Sequence, residues 1–242
     1  KAEFGSQGNP IKLFFSPSVD AKVIDASSKE LVAFLEKDTG YKYEVNIPQS
    51  YIAVVEAFGS KRADVAAFTT AAYLMANEKY GAQAKLTVIR HGKSTYQGQI
   101  ITRQDSPIKE LKDLEGKRVA FVDAVSGSGY LLPMKLFKDA GVKIGETIFA
   151  MKHDSVVSRV YQGEVDAGAT FYSPPDEEGI QDARRLVKAQ YPDVEQKVRI
   201  VKLTDEIVND PIVFRKDLPE DVKTKVADSM VKFVQSDAGG KS

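Results

Sequence analysis

The chain has 242 residues, of which 43% are hydrophobic and 28% are charged, and its 34 basic residues equal its 34 acidic residues. This composition is typical of a globular protein with a sizeable core. A net charge of zero removes the electrostatic basis for nucleic acid or an anionic membrane as the main partner. The absence of cysteine and the presence of only two histidines exclude thiol catalysis and the usual zinc sites, so we expect no metal and no cofactor.

Short strands and helices alternate through the first part of the chain. Apolar runs between breaker residues predict strands at 11–15, 43–47, 64–68, 86–90 and 99–102. Helical spacing predicts helices that begin at the capping-box pair Ser27 and Glu30, at about Tyr51, and at Thr69 and Thr70. This alternation predicts an α/β fold with mostly parallel sheets.

The same pattern restarts after a short helix expected at 105–116. Residues 11–68 and 117–170 both run strand, turn, helix, strand, helix, strand, and their second halves align at an offset of 102 residues, with Tyr51 on His153 and Asp64 on Asp166. The repeat predicts an internal duplication, with a chance likeness between generic units as the alternative. Both aspartates precede predicted strands, so we expect them to bond nearby backbone.

The last part of the chain predicts a helix ending near residue 188, strands at 198–202 and 207–214, and an amphipathic helix at 220–235. We expect two similar lobes, residues 1–102 with 205–242 and residues 103–204, each a mixed, mostly parallel sheet flanked by helices. Two crossing strands would form the hinge, and the cleft between the lobes is the expected ligand site, which would close on a ligand.

A polar turn follows the predicted strand 118–122 and opens a helix. Gly127 and Gly129 allow close backbone approach, and the first amides of a helix carry the positive end of its dipole. With the hydroxyls of Ser126 and Ser128, these amides would bind a phosphate-like oxygen. The alternative is that a serine only caps the helix. The turn is neither a P-loop nor a dinucleotide fingerprint.

Taken together, the sequence resembles the substrate-binding proteins of ABC importers for phosphonate, phosphite and phosphate, a family of type 2 periplasmic binding proteins. The segments that carry the likeness are Tyr51, 56–58, 64–66, Tyr96, 106–108, 114–121, 126–133, 153–154, 163–169, 209–213 and 215–219. The resemblance implies an oxyanion pocket formed by Ser126, Gly127, Ser128, Tyr51, Tyr96, His153 and Asp210. It also implies a monomer in the periplasm or another extracytoplasmic location, with an ABC permease as partner.

The chain departs from that family at two places that bear on the ligand. Members that bind aminophosphonates have a carboxylate after the second-lobe strand, whereas this chain has the segment 170–178 there. Either Tyr172 fills the space and leaves room for a small ligand, or Asp176 or Glu177 supplies the carboxylate. At the second place, Thr69 and Thr70 stand where smaller or apolar residues are expected. Their hydroxyls are either a second group of anion ligands at a helix start or a structural helix cap.

Two other functions stay open at this point. An enzyme would need a set such as Ser126, His153 and Asp154, but neighbouring histidine and aspartate side chains do not ordinarily orient one another, so we expect no catalytic residues. A binding protein of this kind could also serve a membrane sensor instead of a permease. We expect a processed N-terminus, because residues 1–8 contain no signal-peptide core, and a preceding signal or lipid anchor would not be visible in this sequence.

Overall fold

A computed structural model describes residues 2–237 and 239, which divide into two compact units. The first unit contains the chain up to Val88 and from Asp210 onwards, and the second spans Ile89–Asn209. The chain passes between units at residues 88–89 and 209–210, which differs from the expected boundaries at 102–103 and 204–205. The reason is that the expected crossing strands pair with each other, from Thr95 with Val208 to Arg103 with Val198, and belong to one sheet.

Ten strands and seven α-helices are formed by the described residues. The strands are β1 (Ile11–Phe15), β2 (Tyr43–Asn46), β3 (Val65–Ala67), β4 (Gln83–Thr87), β5 (Thr95–Arg103), β6 (Arg118–Phe121), β7 (Glu146–Phe149), β8 (Ala167–Tyr172), β9 (Val198–Val208) and β10 (Pro211–Phe214). The helices are α1 (Ala21–Thr39), α2 (Tyr51–Gly59), α3 (Thr70–Tyr80), α4 (Leu132–Asp139), α5 (His153–Gln162), α6 (Val194–Lys197) and α7 (Glu220–Gln235).

The first unit is built on a five-stranded sheet in the order β2-β1-β3-β10-β4. β1 is parallel to β2 and β3, whereas β10 runs antiparallel to both of its neighbours. Its core joins Leu13 of β1 and Val65 of β3 to Leu35 of α1 and Val226 of α7. Four of the five residues of β1 are apolar, and Ile11 and Leu13 are buried in this core, which is why an apolar run predicted the strand.

The second unit repeats this sheet in the order β7-β6-β8-β5-β9. β6 is parallel to β7 and β8, and β5 is antiparallel to β8 and β9. Its core gathers Ile100, Val119, Phe121 and Phe137. Position by position, the two sheets have the same order and strand directions, as the sequence repeat predicts. The prediction of two lobes with mixed, mostly parallel sheets is confirmed.

The repeated aspartates serve equivalent structural roles. The carboxylate of Asp64 accepts a hydrogen bond of 2.8 Å from the amide of Lys12 in β1, and that of Asp166 accepts one of 2.8 Å from the amide of Arg118 in β6. Each ties the start of one strand to the start of its parallel neighbour. The prediction that these aspartates bond nearby backbone is confirmed.

The N-terminus of α1 differs from the sequence prediction. The helix begins at Ala21, where the side chain of Asp20 accepts a hydrogen bond of 2.8 Å from the amide of Lys22. Ser27, the predicted cap, lies inside the helix, so the capping-box prediction is wrong. Residues 21–27 are mostly exposed, with Val23 51% exposed, so the first turns of this helix do not carry the apolar face by which a helix is predicted.

Four other predicted elements differ in extent. The strand expected at 86–90 is β4, three residues earlier. The helix expected at 105–116 is a short 3₁₀ turn, Leu111–Leu114. The helix expected to end near residue 188 is a second 3₁₀ turn, Ala183–Val187. The strand expected at 207–214 is divided between β9 and β10. The division occurs because the chain leaves the second unit's sheet for the first unit's sheet between these strands.

Candidate functional site

One edge of the second unit's sheet carries six of the predicted ligand-binding residues. The carboxyl ends of the parallel strands β6, β7 and β8 share this edge, together with the beginning of the antiparallel β5. In open α/β sheets, ligands bind outside the carboxyl ends of the strands. The residues at this edge are Tyr96, Ser126, Gly127, Ser128, His153 and Tyr172.

The turn after β6 is a π-helix, Gly127–Leu131, which continues into α4. Ser126 precedes it as the N-cap, and its Oγ accepts a hydrogen bond of 3.0 Å from the amide of Gly129. The amide of Leu131 donates to the carbonyl of Ser126 over 2.9 Å, five residues back. A π-turn is wider than an α-turn and is frequent at functional sites. The helix start was predicted from the sequence, but its π geometry was not.

This turn presents hydrogen-bond donors. The hydroxyl of Ser126 accepts from Gly129 and keeps its own hydrogen to donate. The amides of Gly127 and Ser128 lie in the first turn, where no carbonyl of the same helix can reach them. Ser126 is 1% exposed and Ser128 is 2% exposed. Hydrogen bonds to an anion in so buried a place are stronger than in water.

Two glycines permit the close packing of this turn. A Cβ on Gly129 would lie 2.8 Å from Ser126 Oγ and closer still to the side chain of Val122. A Cβ on Gly98 in β5 would lie 2.8 Å from the carbonyl oxygen of Ser128. Gly98 was missed in the sequence, although a glycine inside a predicted strand is a signal of close backbone approach.

His153 is the first residue of α5 and is 5% exposed. Its Nδ1 lies 2.7 Å from Oγ1 of Thr170, a buried residue of β8. The imidazole also packs edge-on against Phe171, with 5.0 Å between ring centroids. Burial lowers the pKa of His153 to about 3, because desolvation disfavours the charged form. The imidazole is therefore neutral near pH 7.

Two half-buried tyrosines lie at the same edge. The hydroxyl of Tyr96 would be 4.0 Å from a Cβ on Gly127, so the phenol adjoins the π-turn. Tyr172 ends β8 and pairs in register with Gln97 of β5. With the serines and a neutral His153, these phenols form an uncharged set of side chains that can donate hydrogen bonds to an anion.

The remaining predicted residues lie in the first unit. Tyr51 is the first residue of α2 and is fully buried. Thr69 is the N-cap of α3, and its Oγ1 accepts a hydrogen bond of 3.1 Å from the amide of Ala72. The structural-cap interpretation of Thr69 is therefore confirmed, and ligand contacts from Thr69 and its neighbour Thr70 remain predictions. Asp210 directly precedes β10.

Asp176 is engaged in its own turn. Its Oδ1 accepts hydrogen bonds of 2.9 Å from the amide of Glu178 and 2.9 Å from Nε2 of Gln181. Its Oδ2 lies 3.3 Å from Nδ1 of His91. The neighbouring Glu177 is exposed. These contacts give Asp176 a structural role in the loop that follows β8.

Ser126 and His153 are not hydrogen-bonded to each other, as a serine hydrolase would require. The hydrogen bond of Ser126 Oγ is with Gly129 and that of His153 Nδ1 is with Thr170. Within residues 2–237 and 239, no cluster of histidine, cysteine, aspartate and glutamate side chains could hold a metal ion. In the same part of the chain, no helix is long and apolar enough to cross a membrane.

A surface depression of about 470 Å³ lies at the opposite edge of the second unit's sheet. It is lined by Arg103, Gln104, Asp105, Tyr161, Gln196 and Lys197. Arg103 and Asp105 pair with each other at 2.7 Å on the surface, and Tyr161 is near the C-terminal end of α5, far along the helix from His153. The depression therefore lies apart from the serine turn.

Comparison with known proteins agrees with this description. Residues 13–242 match the model of a family described as the ABC transporter, phosphonate, periplasmic substrate-binding protein family. The "Phosphate-import protein PhnD" of Mycolicibacterium smegmatis is 34% identical over 175 residues, which are 66% of this chain and 54% of that protein. The "Phosphonates-binding periplasmic protein" of Escherichia coli is 24% identical over 208 residues, 82% of this chain and 59% of that protein. The chain thus spans little more than half the length of these relatives.

Solved structures show the same fold. A binding protein component of an ABC phosphonate transporter from Pseudomonas aeruginosa has a TM-score of 0.83 at 19% identity, over 96% of this chain and 77% of that one. PhnD1 of Prochlorococcus marinus, solved with methylphosphonate, has a TM-score of 0.80 at 19% identity, over 96% and 87%. The fold is that of the type 2 periplasmic binding proteins, and the chain belongs to the family of periplasmic phosphonate-binding proteins of ABC transporters.

Proposed function

We propose that this protein is the substrate-binding component of an ABC importer and that it captures a small phosphorus oxyanion outside the cytoplasm. The observation that carries the proposal is the π-turn capped by Ser126, where buried hydroxyls and helix amides supply donors without a cationic side chain. The partner is then a permease in the membrane. Two relatives whose names specify phosphate import and phosphonate binding support the same ligand class.

The oxyanion is bound in this proposal by neutral donors of the second unit. Ser126, Gly127 and Ser128 donate from the π-turn, and Tyr96 and His153 donate from the neighbouring β5 and α5. From the first unit, we assign ligand contacts to Tyr51, Thr69, Thr70 and Asp210. Donors fixed by helices and strands do not have to reorganise when the anion binds, which favours affinity.

The ligand in this proposal has no ammonium group. Asp176 is held by Glu178, Gln181 and His91, so its carboxylate is engaged before any ligand binds. Tyr172 ends β8 where a carboxylate would otherwise face an amine. We therefore assign phosphate, phosphite and phosphonates with a small uncharged substituent, such as methylphosphonate, and not aminophosphonates.

Isothermal calorimetry with methylphosphonate, phosphite, phosphate and 2-aminoethylphosphonate tests the ligand class. Replacing Ser126 and Ser128 together with alanine should lower the affinity of the best ligand by at least about a hundredfold. Each hydrogen bond to a charged group is worth roughly 1.5–3 kcal/mol, so two of them exceed that factor. An unchanged affinity in a folded double variant would contradict the proposal.

Asp210 sets selectivity in this proposal. An ionised aspartate only accepts hydrogen bonds, so it favours a ligand oxygen that keeps a proton. The second ionisation of a phosphoryl group lies near pH 6. We expect phosphate and phosphonate affinity to fall from mildly acidic to alkaline pH, and sulfate to be rejected. Asp210→Asn should reduce this discrimination, because an amide also donates; tight sulfate binding by the wild type would refute the assignment.

A further inference from the structure

The imidazole of His153 and the hydroxyl of Thr170 form a buried pair with two possible hydrogen arrangements. Nδ1 and Oγ1 are 2.7 Å apart. Either the threonine hydroxyl donates to Nδ1 and the ring hydrogen is on Nε2, or Nδ1 carries the hydrogen and donates to the hydroxyl oxygen. The two arrangements leave opposite groups on Nε2: a donor in the first, a lone pair in the second.

The surroundings of Thr170 favour the first arrangement. Thr170 is fully buried, and in the described part of the chain its Oγ1 has a hydrogen-bond contact with His153 alone. If Nδ1 carried the hydrogen, the hydroxyl hydrogen of Thr170 would be buried without an acceptor, which is unfavourable. If the hydroxyl donates to Nδ1, the hydroxyl hydrogen has an acceptor. The ring hydrogen is then on Nε2, where it can be donated to a ligand.

Gln99 does not offer a competing acceptor. It faces Thr170 across the β5–β8 pair, and its Nε2 lies 3.3 Å from Oδ1 of Asp182. Because a carboxylate only accepts, this contact fixes which end of the amide is the nitrogen. Among the described residues, Oε1 of Gln99 has no hydrogen-bond partner, so it does not take the threonine hydrogen.

We propose that Thr170 is a positioning residue for the ligand: it donates to Nδ1 of His153, holds the hydrogen on Nε2 and fixes the ring plane so that Nε2 donates to an oxyanion oxygen. This proposal rests on the proposed function. A phosphorus oxyanion is mainly an acceptor, so the other tautomer would turn a lone pair towards it. Thr170 acts through His153 and does not itself contact the ligand.

The tautomer can be measured without any ligand. Two-bond proton–nitrogen NMR correlations on the full chain with ¹⁵N-labelled histidine distinguish the ring nitrogen that carries hydrogen. The chain has two histidines, so His91→Gln assigns the signals. We expect the wild-type His153 to carry its hydrogen on Nε2 and Thr170→Ser to preserve this state. A hydrogen on Nδ1 in the wild type would overturn the proposal whether or not the protein binds phosphonates.

A double-mutant cycle with methylphosphonate tests the positioning role. Thr170→Val keeps the side-chain shape but removes the donor, and it should weaken binding by about tenfold, with Thr170→Ser close to wild type. In a His153→Gln background, Thr170→Val should have no further effect. Equal losses in both backgrounds would show a merely structural role and overturn the proposal.

Failure of the two proposals can be told apart. If the wild type binds neither methylphosphonate nor phosphate, the proposed function fails, while the tautomer measurement still decides the state of His153. If Thr170→Val does not fold, the comparison of wild type, Thr170→Ser and His153→Gln decides. A loss in Thr170→Ser as large as that in His153→Gln would then overturn the positioning role.

Discussion

The two units make the same connection in two chemically different ways. In the first unit, β1 leads to α1 through Asp20, whose carboxylate caps the helix by accepting from the amide of Lys22. In the second unit, β6 leads to the π-turn and α4 through Ser126, whose hydroxyl caps it by accepting from Gly129. β1 and β6 have equivalent positions in their sheets, so the two caps mark equivalent helix starts.

This difference shows which property belongs to the fold and which to the side chain. Both helix starts have unpaired amides and the positive end of a dipole. Asp20 places a negative charge there, which neutralises the dipole and repels an anion. Ser126 satisfies one amide and still has a hydrogen to donate. The fold therefore provides two equivalent helix starts, and under the proposed function the capping residue explains why the second and not the first would bind the anion.

The largest expected effect comes from exchanging the caps. Ser126→Asp keeps an N-cap acceptor but adds a negative charge at a buried position, and it should lower methylphosphonate affinity by at least about a thousandfold. The matched control, Asp20→Ser, changes the equivalent cap in the first unit and should leave the affinity unchanged. Calorimetry measures both, with circular dichroism to confirm folding. A folded Ser126→Asp protein with wild-type affinity would break the comparison.

The repeated aspartates allow the two units to be compared by how much each aspartate contributes to the free energy of unfolding. Asp64 and Asp166 make the same backbone bond, but Asp64 also pairs with Arg215 at 2.9 Å, with side-chain exposures of 7% and 17%. Asp166 lies 3.4 Å from the side chain of Arg118, with exposures of 33% and 48%. Breaking a buried pair costs about 3–5 kcal/mol, whereas an exposed pair is worth about 0–1 kcal/mol.

Asp64→Ala should therefore reduce the free energy of unfolding by about 3 kcal/mol or more, and Asp166→Ala by about 1–2 kcal/mol, mainly through the lost backbone bond. Urea denaturation of the two variants measures the difference. Equal losses would mean that the arginine partner contributes nothing beyond the shared bond, and the two units would then be energetically as well as topologically equivalent at this position.

The sequence predicted the elements whose signals are local. Short apolar runs marked β1 and β6, and the repeated aspartates Asp64 and Asp166 marked the starts of β3 and β8. The start of α1 was missed, because residues 21–27 mostly face solvent and do not carry the apolar face by which a helix is predicted. The unit boundaries were displaced because apolar strands look alike whether they cross between sheets or pair within one, as β5 and β9 do.

At the candidate site, the sequence predicted where a helix starts better than it predicted the geometry of that start. Ser126 and Gly127 were singled out because hydroxyls and amides at a helix start can bind an anion, and the structure has a helix start there, while their contact with a ligand stays a prediction. The π-turn was not found, since its wider hydrogen bonding has no sequence period of its own. Thr170 was also not singled out, because a threonine inside a buried strand is common, and only its distance from His153 distinguishes it.

His153 and Tyr51 occupy the same first helical position in α5 and α2, and the imidazole gives the second unit a pH dependence. Burial lowers the pKa of His153 to about 3, against about 6.5 in an unfolded chain. Between these values the unfolded state binds more protons, so this group lowers stability progressively as pH falls below about 6.5, and it has no effect at higher pH.

We therefore expect the wild type to lose about 2 kcal/mol of stability from this residue between pH 7 and pH 5, at up to about 1.4 kcal/mol per pH unit. Subtracting the profile of His153→Gln isolates this contribution from the carboxylates, which titrate in both proteins. Parallel wild-type and His153→Gln profiles over this range would show that His153 accepts a proton in the folded protein as readily as in the unfolded chain, and its role as a neutral donor would then be wrong.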